Sequence, residues 1–297
     1  MCLDLLWPGG NQTEIESKFF LLLSDAAPYM IKVGKILKKT YPKLLHVTCL
    51  SHGIHRVAED IRAHFPNVNT MIGAVKAVFK KAPLRIRMYK TMYPELNLPP
   101  DVVITRWGKW LEAVNFYCEH HGKILDVIQK FDATDAQAIA LARQSLEKKD
   151  LKGELAYISS NFGFLVDEIT ALQKDGAEIE SVLTRLNNAD TKLSKVKGKN
   201  GVQVYKKFKA VTSKNPNLSD MQGVAKTLAG EPSECGNIES HRAVSFRFAP
   251  LVTASVERSF SMEKNLLSDR RRSLTVENLE MSVVCHYYLT NPRIESS

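Results

Sequence analysis

Two short apolar runs constrain this chain most. Residues 18–25 (Lys-Phe-Phe-Leu-Leu-Leu-Ser-Asp) and 44–48 (Leu-Leu-His-Val-Thr) are brief, continuous and end in polar residues, which is how buried strands end at a functional edge. Between them Pro28 suits a first helical turn, and Met30, Ile31, Val33, Ile36 and Leu37 form one apolar stripe before Tyr41-Pro42 stops it. Helical spacing resumes at Ile54, Val57, Ala58 and Ile61. Strand, helix, strand, helix is the pattern of a layered α/β sheet.

Beyond Asn67 the text turns almost wholly helical, interrupted by Leu98-Pro99-Pro100 and by Val102-Val103-Ile104, a β-branched run with the character of one more strand. Leu155, Ile158, Phe162, Leu165, Ile169 and Leu172 alternate steps of three and four, a narrow helix seam. Ile179, Val182, Leu186 and Leu193 repeat it, so a helix hairpin turning near Asp175-Gly176 is expected. Residues 230–240 read as a loop or linker. Two last helices follow, one from about Ser255 to Leu267 and one opened by Thr275 with Glu277 in its first turn.

With 41 Lys and Arg against 32 Asp and Glu, the 297-residue chain carries +9, which favours polyanionic partners and makes nucleic acid the first suspect. Most of the excess sits between Asp190 and Lys226, where nine lysines face two aspartates. Tyr205 and Phe208 lie among Lys206, Lys207 and Lys209, a mixture that suits phosphate contact with occasional base stacking and equally suits a solvated face. Five scattered cysteines argue against a disulfide framework and for a reducing compartment. No run approaches the roughly 18 to 20 apolar residues of a membrane span, and Met1-Cys2-Leu3-Asp4 does not open like a signal peptide, so an intracellular protein is expected. Leu5-Leu6-Trp7-Pro8-Gly9-Gly10 reads as the exit of a buried element whose beginning is missing.

Several residues have two readings. Asp25, just after the first strand, is a turn or cap residue as readily as a metal ligand. Glu257 is a first-turn acid favoured by the helix dipole, worth about 0.3 to 1 kcal/mol, or a ligand. Cys49 and His52, in a run His46, Cys49, His52, His55, supply only two of the four ligands a zinc site needs unless Cys118, His120 or His121 join them; otherwise they are a partly buried thiol and a histidine bracing a turn. Arg106 and Trp107 combine a guanidinium with a stacking ring, suited to an unpaired base and its phosphate, while a Trp closing the core with Trp110 is the plainer reading.

One ordered set of segments carries a resemblance. Ser24-Asp25-Ala26-Ala27-Pro28-Tyr29-Met30, then Cys49-Leu50-Ser51-His52, then Thr105-Arg106-Trp107, then Ser255-Val256-Glu257-Arg258-Ser259-Phe260-Ser261 occur in the order of the catalytic domain of hAT-family DNA transposases. Leu266 to Leu279, with Arg270-Arg271-Arg272 inside it, is similar to the hAT C-terminal dimerisation region. The likeness covers about Phe19 to His121 and Ala249 to Leu289. It implies an α/β, RNase H-like domain, incomplete at its start, interrupted by a large all-helical insertion: residues 1–121, then 122–240, then a C-terminal segment 241–297. It further implies DNA as partner, self-association or pairing with related transposase chains, a nuclear location, no membrane, and Mg²⁺ or Mn²⁺ held by an Asp, Asp, Glu set. Asp25 matches the second aspartate and Glu257 the glutamate, Cys49 and His52 the motif beside the site, and Arg106 and Trp107 the DNA contact. The first aspartate has no counterpart, so cleavage and transposition are not expected. A helical protein-interaction module without a nucleic-acid role, and a fragment of an active transposase, are the alternatives.

Overall fold

The computed structural model describes residues 9–102, 107–174, 176–231, 238, 240–266 and 275–290. Helix α1 (Gln12–Lys18), not expected from the sequence, opens on Asn11, whose side chain accepts the Glu14 N–H. Strand β1 (Leu21–Ser24) follows, then α2 (Pro28–Thr40), β2 (Leu45–Thr48) and α3 (Leu50–Ala63). The two strands pair in parallel, Leu21 beside Leu45 through Ser24 beside Thr48. The strand-helix-strand-helix opening is therefore present, with strands shorter than the apolar runs that announced them.

Next come α4 (Pro66–Phe79), α5 (Pro83–Met92), α6 (Trp107–Gln129), α7 (Gln137–Leu146), α8 (Leu151–Phe162) and α9 (Leu165–Leu172). The chain continues through α10 (Ile179–Ser194), α11 (Gly198–Ser213) and α12 (Leu218–Leu228) to a 3₁₀ segment at Ser240–Phe246. Helices α13 (Ala254–Leu266) and α14 (Val276–Thr290) pack on each other at the end. Prolines open α2, α4 and α5, where the missing N–H costs nothing and the fixed φ suits the first turn. The fold is mostly helical with one small parallel sheet. Among the described residues no helix is long and apolar enough to cross a membrane.

Every residue of β2 is buried, so its backbone groups must be paired on both edges. β1 serves one edge. On the other, the link between α11 and α12 imitates a strand: Asn215 accepts the Thr48 N–H at 2.9 Å and donates to the Thr48 carbonyl at 2.8 Å. Asn217 accepts the His46 N–H at 2.9 Å through its side chain and donates its own N–H to the His46 carbonyl. The lysine-rich region is thereby anchored to the sheet.

That anchoring corrects the domain division. The boundary at 121/122 falls inside α6, and buried residues from Leu45 to Leu251 form one apolar cluster, so the helices after residue 121 share the core of the opening segments. The physical reason is that neither layer closes alone: two strands and α3 cover their apolar face only by packing α3 against α6, α9 and α11. The 155–172 seam is also not one helix. It breaks at Gly163, where Asn115 of α6 inserts, accepting the Ser159 hydroxyl at 2.9 Å and donating to the Gly163 carbonyl; a Cβ at 163 would collide with the Asn115 side chain and the Ser159 backbone carbonyl. Gly176, at φ +67°, sits in the expected hairpin turn. Ile104, most of the 230–240 loop and Arg270 to Arg272 lie outside the described residues.

Helix α2 lies on the sheet through Gly34, the one buried residue of the helix, against the His46 ring, which in turn hydrogen-bonds Ser24 Oγ at 2.8 Å. A Cβ at position 34 would overlap that ring. Gly34→Ala should therefore destabilise by about 1 to 3 kcal/mol through overpacking, read as a lower urea midpoint at unchanged slope; a neutral substitution would show that α2 does not rest on His46.

Burial holds His46 below the ordinary imidazole value of 6.5, and burial does the same to His121, against an opposing hydrogen bond to the Leu146 carbonyl. Both are neutral in the fold. Their contribution is complete above the unfolded value and is lost as pH falls through their lowered folded values. Urea stability should consequently fall as pH drops below 6.5, and the slope should be shallower in His46→Gln; an equal slope would remove His46 as a cause.

Candidate functional site

Functional groups in parallel sheets gather outside the carboxyl ends of the strands, where the helices begin. Here β1 ends at Ser24 and delivers Asp25; β2 ends at Thr48 and delivers Cys49, the residue before α3. The two ends are tied by the Cys49 N–H, which donates to the Ser24 carbonyl at 2.8 Å. Asp25 turns its side chain back to accept the Ala27 N–H at 3.1 Å, the local bond of a turn residue. The plain reading of Asp25 is thus realised, and it leaves the second carboxylate oxygen for other work.

The C-terminal segment comes to the same place. The Leu50 N–H donates to the Leu251 carbonyl at 2.9 Å, and the Thr253 N–H donates to Cys49 Sγ at 3.3 Å. One turn into α13, Glu257 accepts the Thr253 hydroxyl at 3.0 Å and brings Oε1 to 3.6 Å from His52 Nδ1. Farther along, Arg258 donates to the Gln173 carbonyl. Cys49 and Glu257, about 200 residues apart, therefore meet at the His52 imidazole, and Asp25 stands near enough for its charge to act on the same ring.

The electrostatics follow from that meeting. Burial alone would push the Cys49 thiol up, but hydrogen bonds from His52 and Thr253 outweigh it and hold the thiol below its usual range. His52 moves the other way: its hydrogen bond to Cys49 raises it, burial opposes, and the charges of Cys49, Glu257 and Asp25 add to the rise. Each group thus favours ionisation of the other, the sulfur toward its anion and the imidazole toward its cation. Cys49 and His52 polarise each other across three residues, and Thr253 and Glu257, about 200 positions along the chain, add to the effect.

A metal centre is poorly served here. Two ions bound through hard oxygens call for bridging carboxylates. The available pair is Asp25, bonded to Ala27, and Glu257, bonded to Thr253 and facing an imidazole whose cationic form is favoured. Among the described residues no three His, Cys, Asp or Glu side chains converge as ligands, for zinc or for Mg²⁺. His46 is turned to Ser24 and His121 to Leu146, away from such a role. The donor set among the described residues does not fit a two-ion centre.

Beside these residues opens a cleft of about 630 Å³, walled by the start of α2, the first turns of α3, and the cleft-facing side of α11. Asp25, Cys49 and His52 line it, together with Arg56, Lys207 and Lys214. α3 and α11 approach closely where Val211 packs on Gly53. The lysines of α11, read from sequence as one set, separate by the 100° step of the helix: Lys206 is exposed, Lys207 lines the cleft, and Lys209 is drawn to Asp190 at 3.3 Å and to the Tyr205 ring. Arg56 was missed, although its position four residues after His52 places both on one face of a helix. Arg106 lies outside the described residues, and Trp107 is the first residue of α6. No protein-family model and no curated protein matches the sequence.

The coupling of Cys49 and His52 has a direct test. Iodoacetamide labelling of Cys49, followed by mass spectrometry across pH, should show a midpoint below the ordinary thiol range that rises in His52→Ala and on unfolding in urea. A midpoint indifferent to His52 would show that the imidazole does not polarise the sulfur.

Proposed function

We propose that this chain is a transposon-derived nuclear protein related to hAT transposases, built on an incomplete RNase H-like domain, that binds DNA and self-associates without catalysing strand transfer. The observation that carries the reading is the convergence of Asp25, the Cys49 and His52 pair and Glu257 at the ends of two parallel strands, in the motif order of those enzymes. Mg²⁺ or Mn²⁺ would be the cofactor of an active relative. Among the described residues the two carboxylates fall one short of the set such ions need, so no step is assigned to them.

Support for DNA as partner is electrostatic. Lys206 is exposed, and Arg56, Lys207 and Lys214 stand around the cleft without an ion-pair partner among the described residues. Cations left unneutralised at a concave surface favour phosphates, which position a ligand without reading its sequence. Support for self-association is the pair α13 and α14, where Phe260 is 59% exposed and Val276 80%. Apolar side chains so exposed at one end of the fold suit a second copy or a related chain.

Fluorescence anisotropy with a labelled duplex tests the reading. Binding should be weak and sequence-independent, in the range of roughly 10⁻⁴ to 10⁻⁶ M, and should weaken steeply with salt through counterion release. Lys206→Ala and Lys207→Ala should flatten the salt slope, and Lys209→Ala should matter less because Asp190 already holds it. Incubation with Mg²⁺ or Mn²⁺ should give no specific nick. Absence of binding at low salt would favour a protein-interaction module, and cleavage abolished by Glu257→Gln would overturn the loss of chemistry.

A further inference from the structure

The cleft between α3 and α11 has a composition that duplex binding does not use. Its rim carries Arg56, Lys207 and Lys214, none ion-paired with another described residue, against the single carboxylate of Asp25. Its walls are apolar: Ile31 from α2, Ile54 from α3, Leu186 from α10, Phe208 and Val211 from α11. A bare anion would meet the cations and leave the walls empty. A purely apolar ligand would leave the three cations without a counter-charge. The ligand that satisfies both is an apolar ring system joined to a phosphate, with a hydroxyl or amine for Asp25 to accept.

We propose that this cleft binds one nucleoside phosphate, with the base between the apolar walls and the phosphate on Lys207, Lys214 and Arg56. At about 630 Å³ the cleft lies within the 300 to 1,000 Å³ usual for small-molecule sites and takes one nucleotide rather than a duplex. Asp25 has an acceptor oxygen free of the Ala27 bond for the sugar or the base. The site is preformed, because Asn215, at the end of α11, is fixed to Thr48, and Gly53 lets Val211 sit against α3. The proposal stands on the cleft itself and does not need the transposase reading. A nucleoside phosphate reaches such a cleft as a free nucleotide or as the unpaired end of a DNA strand, and the shared chemistry is the base with its phosphate.

The probes are mant-ATP, followed by fluorescence, and a fluorescein-labelled single strand bearing a 5′-phosphate, followed by anisotropy, both with the full chain. At least one probe should saturate, and Lys207→Ala with Lys214→Ala, which together remove two charge-assisted contacts, should weaken it about tenfold or more. Lys206→Ala, on the same helix but outside the cleft, should change it less than twofold. Val211→Trp, which fills the cleft, should abolish saturation while circular dichroism reports the fold intact. Competition by unlabelled AMP identifies the free nucleotide as source; competition by the phosphorylated strand alone identifies the strand end. Failure of both probes to saturate overturns the proposal, as does equal loss on Lys206→Ala or displacement by inorganic phosphate as effective as by nucleotide. Duplex binding that survives Val211→Trp separates this site from the wider DNA surface.

Discussion

The far edge of β2 governs the arrangement of everything around it. A buried strand with one unpaired edge would leave the His46 and Thr48 amides and carbonyls without partners, each at a penalty of about 1 to 3 kcal/mol. Asn215 and Asn217 supply the missing ladder with two side chains and one backbone N–H. Because these bonds join residues about 170 positions apart, they hold the end of α11 at the mouth of the strands. Lys207, Lys214 and Val211 take their places in the cleft as a result. A polar satisfaction requirement of the core thus positions the cations of the surface.

A second junction works at the other side of α3. The Leu251 carbonyl and the Thr253 N–H dock on Leu50 and Cys49, and Phe20 packs with Phe246 and under Arg242. These contacts return the C-terminal segment to the sheet and place Glu257 against His52. The cluster of Asp25, Cys49, His52 and Glu257 is therefore held by backbone hydrogen bonds more than by attraction among its own charges. Half-exposed ion pairs such as His52 with Glu257 contribute little stability by themselves. Their effect is local: they set the ionisation of the imidazole and the sulfur.

Much of the opening was legible. Apolar runs at 18–25 and 44–48, Pro28 and the stripe from Met30 to Leu37 announced two strands and the helix between them, since period and length separate the two kinds of element. The mid-chain helix at 179–194 and the last helix were likewise readable, from the spacing at Ile179 to Leu193 and from Thr275 and Glu277. What was not legible had specific causes. Asn11, a sequence-distance of three from Glu14, caps a short helix whose only buried residue is Ile15, too little periodicity to see. Gly163 broke the Leu155 to Leu172 seam because Asn115 arrives from another helix, information no local window contains. The division at 121/122 failed for the same reason: core sharing is a property of the packed layers.

By itself the sequence determined the character of each segment: where apolar faces lie, where prolines start helices, how much positive charge the region from Asp190 to Lys226 carries, and which reactive groups, Asp25, Cys49, His52 and Glu257, stand beside element ends. These follow from side-chain chemistry and from the short-range geometry of helix and strand. Only the tertiary structure decided which of those groups meet. Lys207 became a cleft residue and Lys209 a partner of Asp190 through a helical rotation that means nothing until α3 packs on α11. Cys49 is polarised by His52, three residues along, and further by Thr253, whose approach depends on the docking of Leu251 on Leu50. Proximity between distant residues comes from burying shared apolar surface and pairing every buried backbone group, and those demands are satisfied by the whole chain at once.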